Sequence, residues 1–182
     1  MTIIKDQQQI ITSISKWIED VIIGLNFCPF AKKEVIRDTV RYVVSEQLSI
    51  DKALDTVIDE LSHLDTNTET QTTLIIFSNG FDDFDDYLNL VEGANHIIEG
   101  GGYRGLYQIA TFHPEYYFEG EDINDAANFT NRSPYPILHL LREASLEQVL
   151  KTYPNPENIP ENNIAKARQL GADYFKQRLN NY

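Results

Sequence analysis

The stretch Thr72-Thr73-Leu74-Ile75-Ile76-Phe77-Ser78 constrains the fold more than any other, because its continuous apolar run, Leu74 to Phe77, is bounded by the loop-like segment DTNTETQ before it and the turn residues SNG after it. It is too short for a helix and has no wet face, so it reads as a strand covered on both sides. Such a strand needs a layer against each face. The chain supplies those layers as helices. Ile10, Ile14, Trp17, Ile18, Val21, Ile22 and Leu25 recur at helical spacing over residues 7–25. Ala53, Leu54, Val57, Ile58, Leu61 and Leu64 form a second stripe behind Ser49, and Phe84, Leu88, Val91 and Ile98 a third. TVRYVVSE and LYQIATF read as further strands, and the spacing predicts two last helices over 134–151 and 161–179. Strands alternating with long helices imply βαβ crossovers. The expectation is a small α/β fold: a mostly parallel three-stranded sheet flanked by about five helices, one domain over residues 1–182, with the strand order left open.

Length and charge narrow the functional classes. A chain of 182 residues buries roughly 70% of its unfolded surface without covalent staples. A net charge of −13 repels phosphate backbones and anionic lipid surfaces, so neither nucleic acid nor membrane is expected as a partner. The single cysteine, Cys28, rules out an internal disulfide framework, and the opening MTIIKDQQQIITSISKWIEDVII breaks every apolar run with polar residues. A cytoplasmic protein without export signal or membrane span is therefore expected. The oligomeric state is not legible.

Three suggestive patterns carry little. Gly100, Gly102 and Gly105 fit G-x-G-x-x-G but leave a helix and enter a strand, the reverse of a dinucleotide-binding turn. Asp82, Asp83, Asp85 and Asp86 lack the ligand spacing of a calcium loop and suit the first turn of a helix. His113, His139 and Asp122 or Asp125 would make a two-histidine, one-carboxylate metal set, but no local spacing enforces it. No metal and no cofactor is expected.

The richest stretch follows the third strand. Between His113 and Ser133 lies a connection of no clear periodicity, leaving the edge where open α/β sheets place ligands. Ser133 reads as a helix N-cap with Pro134 and Pro136 in the first turn, a rigid start whose free N–H groups beside Arg132 would suit a phosphate or carboxylate. From Ala53 to Leu150 the basic residues are Arg104, Arg132 and Arg142 alone, so each is expected to have an assigned partner, a ligand anion or the protein's own acids. On a helix, Tyr135, His139 and Arg142 would share a face, with His113 arriving from the strand end as proton carrier. Asn124, Asn128, Asn131 and Asp125 equally suit loop-closing turns, and each histidine equally suits a structural role.

The segments CPFA, TFHP and TNRSPYPILHLLRE resemble an uncharacterised bacterial family, one of the catalogued domains of unknown function, along nearly the whole chain. The resemblance implies a bacterial single-domain protein and assigns no catalytic role. The function expected from the residues is an enzyme, a hydrolase or group transferase, acting on an anionic small molecule. His113 and His139 would move protons, while Arg132, Ser133, Arg142, Asn131, Asn128, Tyr135 and Asp125 would bind. Two alternatives stand beside it. The loop would instead present Tyr116, Tyr117 and Phe118 to a partner, or Cys28, followed by Lys32 and Lys33, would supply thiol chemistry.

Overall fold

A computed structural model describes residues 6–182, so residues 1–5 of the expected domain lie outside the described residues. Among the described residues there are four strands and seven α-helices: α1 (Gln7–Trp17), α2 (Ala31–Ile36), β1 (Val40–Ser45), α3 (Ile50–Thr66), β2 (Thr72–Phe77), α4 (Phe84–Gly100), β3 (Tyr107–Phe112), β4 (Ile137–Arg142), α5 (Glu143–Leu150), α6 (Ile159–Leu170) and α7 (Ala172–Leu179). The sheet order is β1-β2-β4-β3. β1 and β2 pair in parallel, while β4 lies antiparallel to both β2 and β3.

The α/β class stands, but the mostly parallel three-stranded sheet is corrected to a mixed four-stranded one, because residues 137–142 form a strand. The prolines explain why. Each restricts the residue before it to extended backbone, so Ser133 and Tyr135 feed the chain straight into β4. Ile137-Leu138-His139-Leu140-Leu141 is then a central strand covered on both faces, the same reading that suits β2. Leucine's helix preference yields to burial between two pairing strands.

The helix count rises for local reasons. The first helix ends as a π-helical turn, Ile18–Ile23. A short α2 follows Pro29, and the last helix breaks at Gly171, whose φ of 83° lies where a side chain would be strained.

The sheet divides the core. Ile75 and Phe77 of β2 and Leu138 and Leu140 of β4 pack on α3 and α4, against Val57, Leu61, Tyr87 and Leu90. Leu74, Ile76 and Ile137 face the other way, against Ile14, Trp17 and Val21, with Phe129 and Phe175 behind. The period of two along each strand thus assigns every side chain to one layer.

The buried Tyr87 hydroxyl ties α4 to both newly paired strands, donating to the Ile137 carbonyl (2.7 Å) and accepting from the Phe112 N–H (3.2 Å). Tyr87→Phe leaves both backbone groups without that partner and is expected to lower unfolding stability by about 1–3 kcal/mol, read from urea denaturation midpoints.

Candidate functional site

The loop after β3 is held by its own polar residues. Asn128 is fully buried, accepts from the Phe118 N–H (3.0 Å) and donates to the Asp122 and Ile123 carbonyls (2.9 and 3.2 Å). Asn131 donates to the Thr111 carbonyl (3.0 Å), and its own carbonyl accepts the His113 N–H (3.1 Å). Asp125 caps a 3-10 turn at Ala126–Thr130 and pairs with Arg168 at 2.9 Å, which holds its carboxyl below the usual range. Tyr135 packs on the α1 side of the core.

The anion cradle expected here is corrected. No helix begins at Ser133; its buried hydroxyl donates to the Tyr135 carbonyl (2.5 Å), shaping the turn into β4. Arg132 donates from Nε to the Tyr116 carbonyl (2.9 Å) and from Nη2 to the Ile123 carbonyl (2.8 Å), with its guanidinium over the Phe129 ring at 4.6 Å. Arg142 serves the end of α3, donating to the carbonyls of Leu64 (2.5 Å), Asn67 (3.2 Å) and Thr70 (3.0 Å) and to the Tyr107 hydroxyl (3.2 Å). Arg132 and Arg142 have assigned partners, as expected, but these are backbone carbonyls and, for Arg142, also the Tyr107 hydroxyl.

The histidines do not meet. His113 is fully buried in the α4 layer, with its ring centroid 4.9 Å from Tyr87. Its Nδ1 accepts from the Glu115 N–H (3.0 Å), so Nε2 carries the proton and donates to the Phe81 carbonyl (2.9 Å). That bond fixes Phe81, whose φ of 60° is rare for an aromatic residue. On a strand, His139 and Arg142 point to opposite faces, so the shared helical face is corrected too. His139 turns to the α1 side, where Thr72 and Phe112 flank it. Among the described residues, no group of three or more His, Cys, Asp or Glu side chains is arranged to hold a metal ion.

What does converge lies on the α1 side. An inner chamber of about 50 Å³ has nearly all-apolar walls that include Trp17, Ile18, Cys28, Ala31, Phe112 and His139. An outer chamber of about 280 Å³ is bounded by Phe27, Phe118, Thr130, Asn131, Ile159 and Asn163. Ile22, Cys28 and Phe112 belong to both, so the thiol sits in their common wall. CPFA, TFHP and TNRSPYPILHLLRE each contribute residues to this pair of chambers: Cys28, Phe30 and Ala31; Phe112; Thr130, Asn131 and His139. The π-helical turn supplies Ile18 and Ile22, and π turns of this kind recur at functional sites.

The polar groups around the inner chamber are mostly occupied by one another. Thr72 donates to the Leu140 carbonyl (2.6 Å), so His139 Nε2 is the donor in its 2.5 Å contact with the Thr72 hydroxyl. The accessible part of His139 lines the chamber, away from the charge-stabilising bulk solvent, and desolvation pulls its pKa down to about 4. Burial pushes the Cys28 thiol up, outweighing the Phe30 and Ala31 N–H groups that favour thiolate. Glu34 accepts from Thr39 at 2.6 Å. Trp17 is the exception: its indole N–H is buried and has no acceptor among the described residues. Neither Trp17, Phe112 nor Glu34 stood out in the sequence. Trp17 reads as one more member of an apolar stripe, whereas the neighbours of Cys28 and His113 in their motifs were a usable signal for Phe30, Ala31 and Phe112.

Fold and chambers together define a mixed α/β protein with a small, largely apolar pair of hollows at one face of its sheet. The chain belongs to the family described as Protein of unknown function (DUF1415), whose model matches residues 9–177, and the resemblance carried by the motifs holds to that extent. No curated protein and no solved structure matches it. Among the described residues, no helix is long and apolar enough to cross a membrane.

The depressed His139 pKa has a direct consequence. Below its ordinary value of 6.5 the unfolded chain binds a proton that the folded chain refuses until about pH 4. Stability is therefore fully present above pH 6.5 and falls as pH drops through that window, by about 1.4 kcal/mol per unit and roughly 3 kcal/mol in all. His139→Gln should flatten this part of the profile relative to the parent protein, measured by urea unfolding between pH 7 and 4.5.

Proposed function

We propose that this protein binds a small amphiphilic molecule, whose short hydrocarbon end fills the inner chamber and whose polar part lies in the outer one, with the Cys28 thiol between them. The observation that carries the reading is the meeting of the three motif segments around adjoining chambers on one face of the sheet. Size decides what enters. At about 50 Å³ the inner chamber takes a group of a few heavy atoms, since whole drug-sized ligands occupy roughly 300–1,000 Å³. The outer chamber, at about 280 Å³, accepts the rest and offers Thr130, Asn131 and Asn163 as polar lining.

The anionic ligand expected from the sequence moves with the site. Asn163 also borders an opening lined by Lys166, whose ammonium donates to the Leu25 carbonyl (2.8 Å) and would share that bond with a carboxylate or phosphate head. The hydrolase or transferase reading rested on His113 and His139 as proton carriers, and binding is preferred here because both ring nitrogens of His113 are engaged with backbone and Nε2 of His139 donates to the Thr72 hydroxyl. Of the three rings in the docking-loop reading, Tyr116 packs edge-on to Phe84 at 5.6 Å and Phe118 lines the outer chamber, while Tyr117 is 38% exposed.

Trp17 is the single tryptophan and forms part of the inner wall, which makes its fluorescence a reporter. Titration with 1-butanol is expected to change the emission saturably, with a midpoint on the order of millimolar, from about 0.8 kcal/mol per buried methylene. Ala31→Leu fills the chamber and should abolish the response. A linear change that is the same in both proteins refutes the reading.

A further inference from the structure

We propose that the protein has a second binding site, whose existence does not depend on the reading of the chambers, and that it takes a zwitterionic amino acid. The site is a hollow of about 460 Å³ at the end of the sheet where β1 and β2 begin.

Topology builds it. β1 and β2 run in parallel and start level, Val40 beside Thr72, and the antiparallel β4 ends next to them, with Leu141 also beside Thr72. The segments that enter β1 and β2 and the one that leaves β4 therefore meet: α2, the turn at Glu69, and α5. The Gln71 N–H donates to the Thr39 carbonyl (2.9 Å) and the Ser145 hydroxyl to the Gln71 side-chain oxygen (2.9 Å), which ties the three walls together. The volume suits a small molecule, for which sites of roughly 300–1,000 Å³ are usual. Every residue that lines it is polar or charged, the opposite of the inner chamber.

Its charged groups are only partly used. Glu34 is 2% exposed, and a carboxylate so buried needs its oxygens hydrogen-bonded. One accepts from the Thr39 hydroxyl (2.6 Å); the other has Lys33 at 3.8 Å, beyond hydrogen-bond reach, and no donor among the described residues. Glu34 also borders the inner chamber, but Thr39 and Lys33, the two groups that approach its oxygens, line the polar hollow and not that chamber, so the carboxylate is turned toward the hollow. Arg37, one helical turn beyond Lys33, and Glu69 on another wall make no side-chain hydrogen bond or ion pair among the described residues. A chain of −13 offers many carboxylates, yet Arg37 takes none.

The sign of the guest follows from the sum. Lys33 and Arg37 balance Glu34 and Glu69, so an anion alone would face two carboxylates and a cation alone two cations. A guest with one charge of each sign meets both needs. Its ammonium, with donors and no acceptor, supplies what the open oxygen of Glu34 lacks and pairs with Glu69, while its carboxylate matches the planar fork of Arg37. Ser145 and Gln148, three apart on α5 and so on one face, suit a polar side chain.

The test is a titration of the isotope-labelled full chain with L-glutamine, followed by amide chemical shifts. Saturable shifts confined to residues 33–39, 68–71 and 145–148 are expected, with a midpoint on the order of millimolar. N-acetyl-L-glutamine lacks the ammonium and L-glutaminamide the carboxylate, and each should bind about fivefold more weakly, the worth of one partly exposed ion pair. Arg37→Gln should weaken L-glutamine by the same factor and leave L-glutaminamide unchanged; Glu69→Gln should weaken L-glutamine and leave N-acetyl-L-glutamine unchanged. Both side chains are exposed, so the fold tolerates either change. Shifts that are linear or lie elsewhere overturn the proposal, as do equal binding of the three compounds and variants that bind like the parent. Acetate that reproduces the L-glutamine shifts at the same concentrations overturns it as well, since the hollow would then be a plain anion site.

Discussion

β3 does not pair with β2, from which it is separated by one strand position, and β4 fills that position antiparallel to both neighbours. A strand buried on both faces and paired on both edges has no solvent to satisfy its backbone, so its register must be met on each side at once. The chain reaches that slot from the end of β3, where it must turn round and come back beside the strand it has just left. Everything between His113 and Pro136 works under that demand. The Phe77 N–H reaches the Pro136 carbonyl (3.0 Å), and the His113 N–H reaches Asn131 (3.1 Å), closing the loop against the sheet before β4 begins.

This explains why residues rich in chemistry act as braces. A return loop of this length leaves many carbonyls that no regular structure serves, and an arginine satisfies several with one planar group. Hydrogen bonds to a charged donor stabilise by about 1.5–3 kcal/mol each, more than neutral ones. Arg132 closes the loop on Tyr116 and Ile123, while Arg142, at the last position of β4, joins that strand to the end of α3. The negative end of the helix dipole and the cation favour each other there. In a chain of −13 these arginines had many carboxylates available as partners. Carbonyls suit them better in a partly dry site, where a carboxylate would add its own desolvation cost.

Where local pattern and global fold agree, the sequence was readable. β2 follows from its continuous apolar run, α3 and α4 from helical periodicity, and the place of the polar loop from its lack of either. β4 was not, because Leu138, Leu140 and Leu141 favour helices intrinsically, and at five residues an apolar run has no distinguishing period. Pro134 and Pro136 argued equally for a helix start and for extended backbone, and pairing with strands distant in sequence decided between them. That one misassignment carried the anion cradle with it, since Ser133, His139 and Arg142 converge only on a helix. Cys28, His139 and Asn131 do line the chambers, but on different walls and for reasons of tertiary placement. The break at Gly171 falls inside the single helix expected over residues 161–179, and its φ of 83° explains it.

The two faces of the sheet are filled unequally, and the inequality places the chambers. On the α3 and α4 side, large aliphatic and aromatic residues interlock, from Leu61 and Leu64 through Phe77 to Leu138 and Leu140. On the α1 side, β2 and β4 present Thr72 and His139 next to each other, whose polar atoms bond together and leave carbon edges toward the helices. The covering layer is wide there as well: α1 relaxes into a π turn at Ile18, and the chain then leaves the helix at Gly24 to pass through Phe27, Cys28 and Pro29. Ala31 brings no bulk to fill the gap. A helix continued at α-helical pitch would carry its side chains to different positions over β4; the wider turn instead stops short, and the thiol comes to rest at the lip of the space left behind.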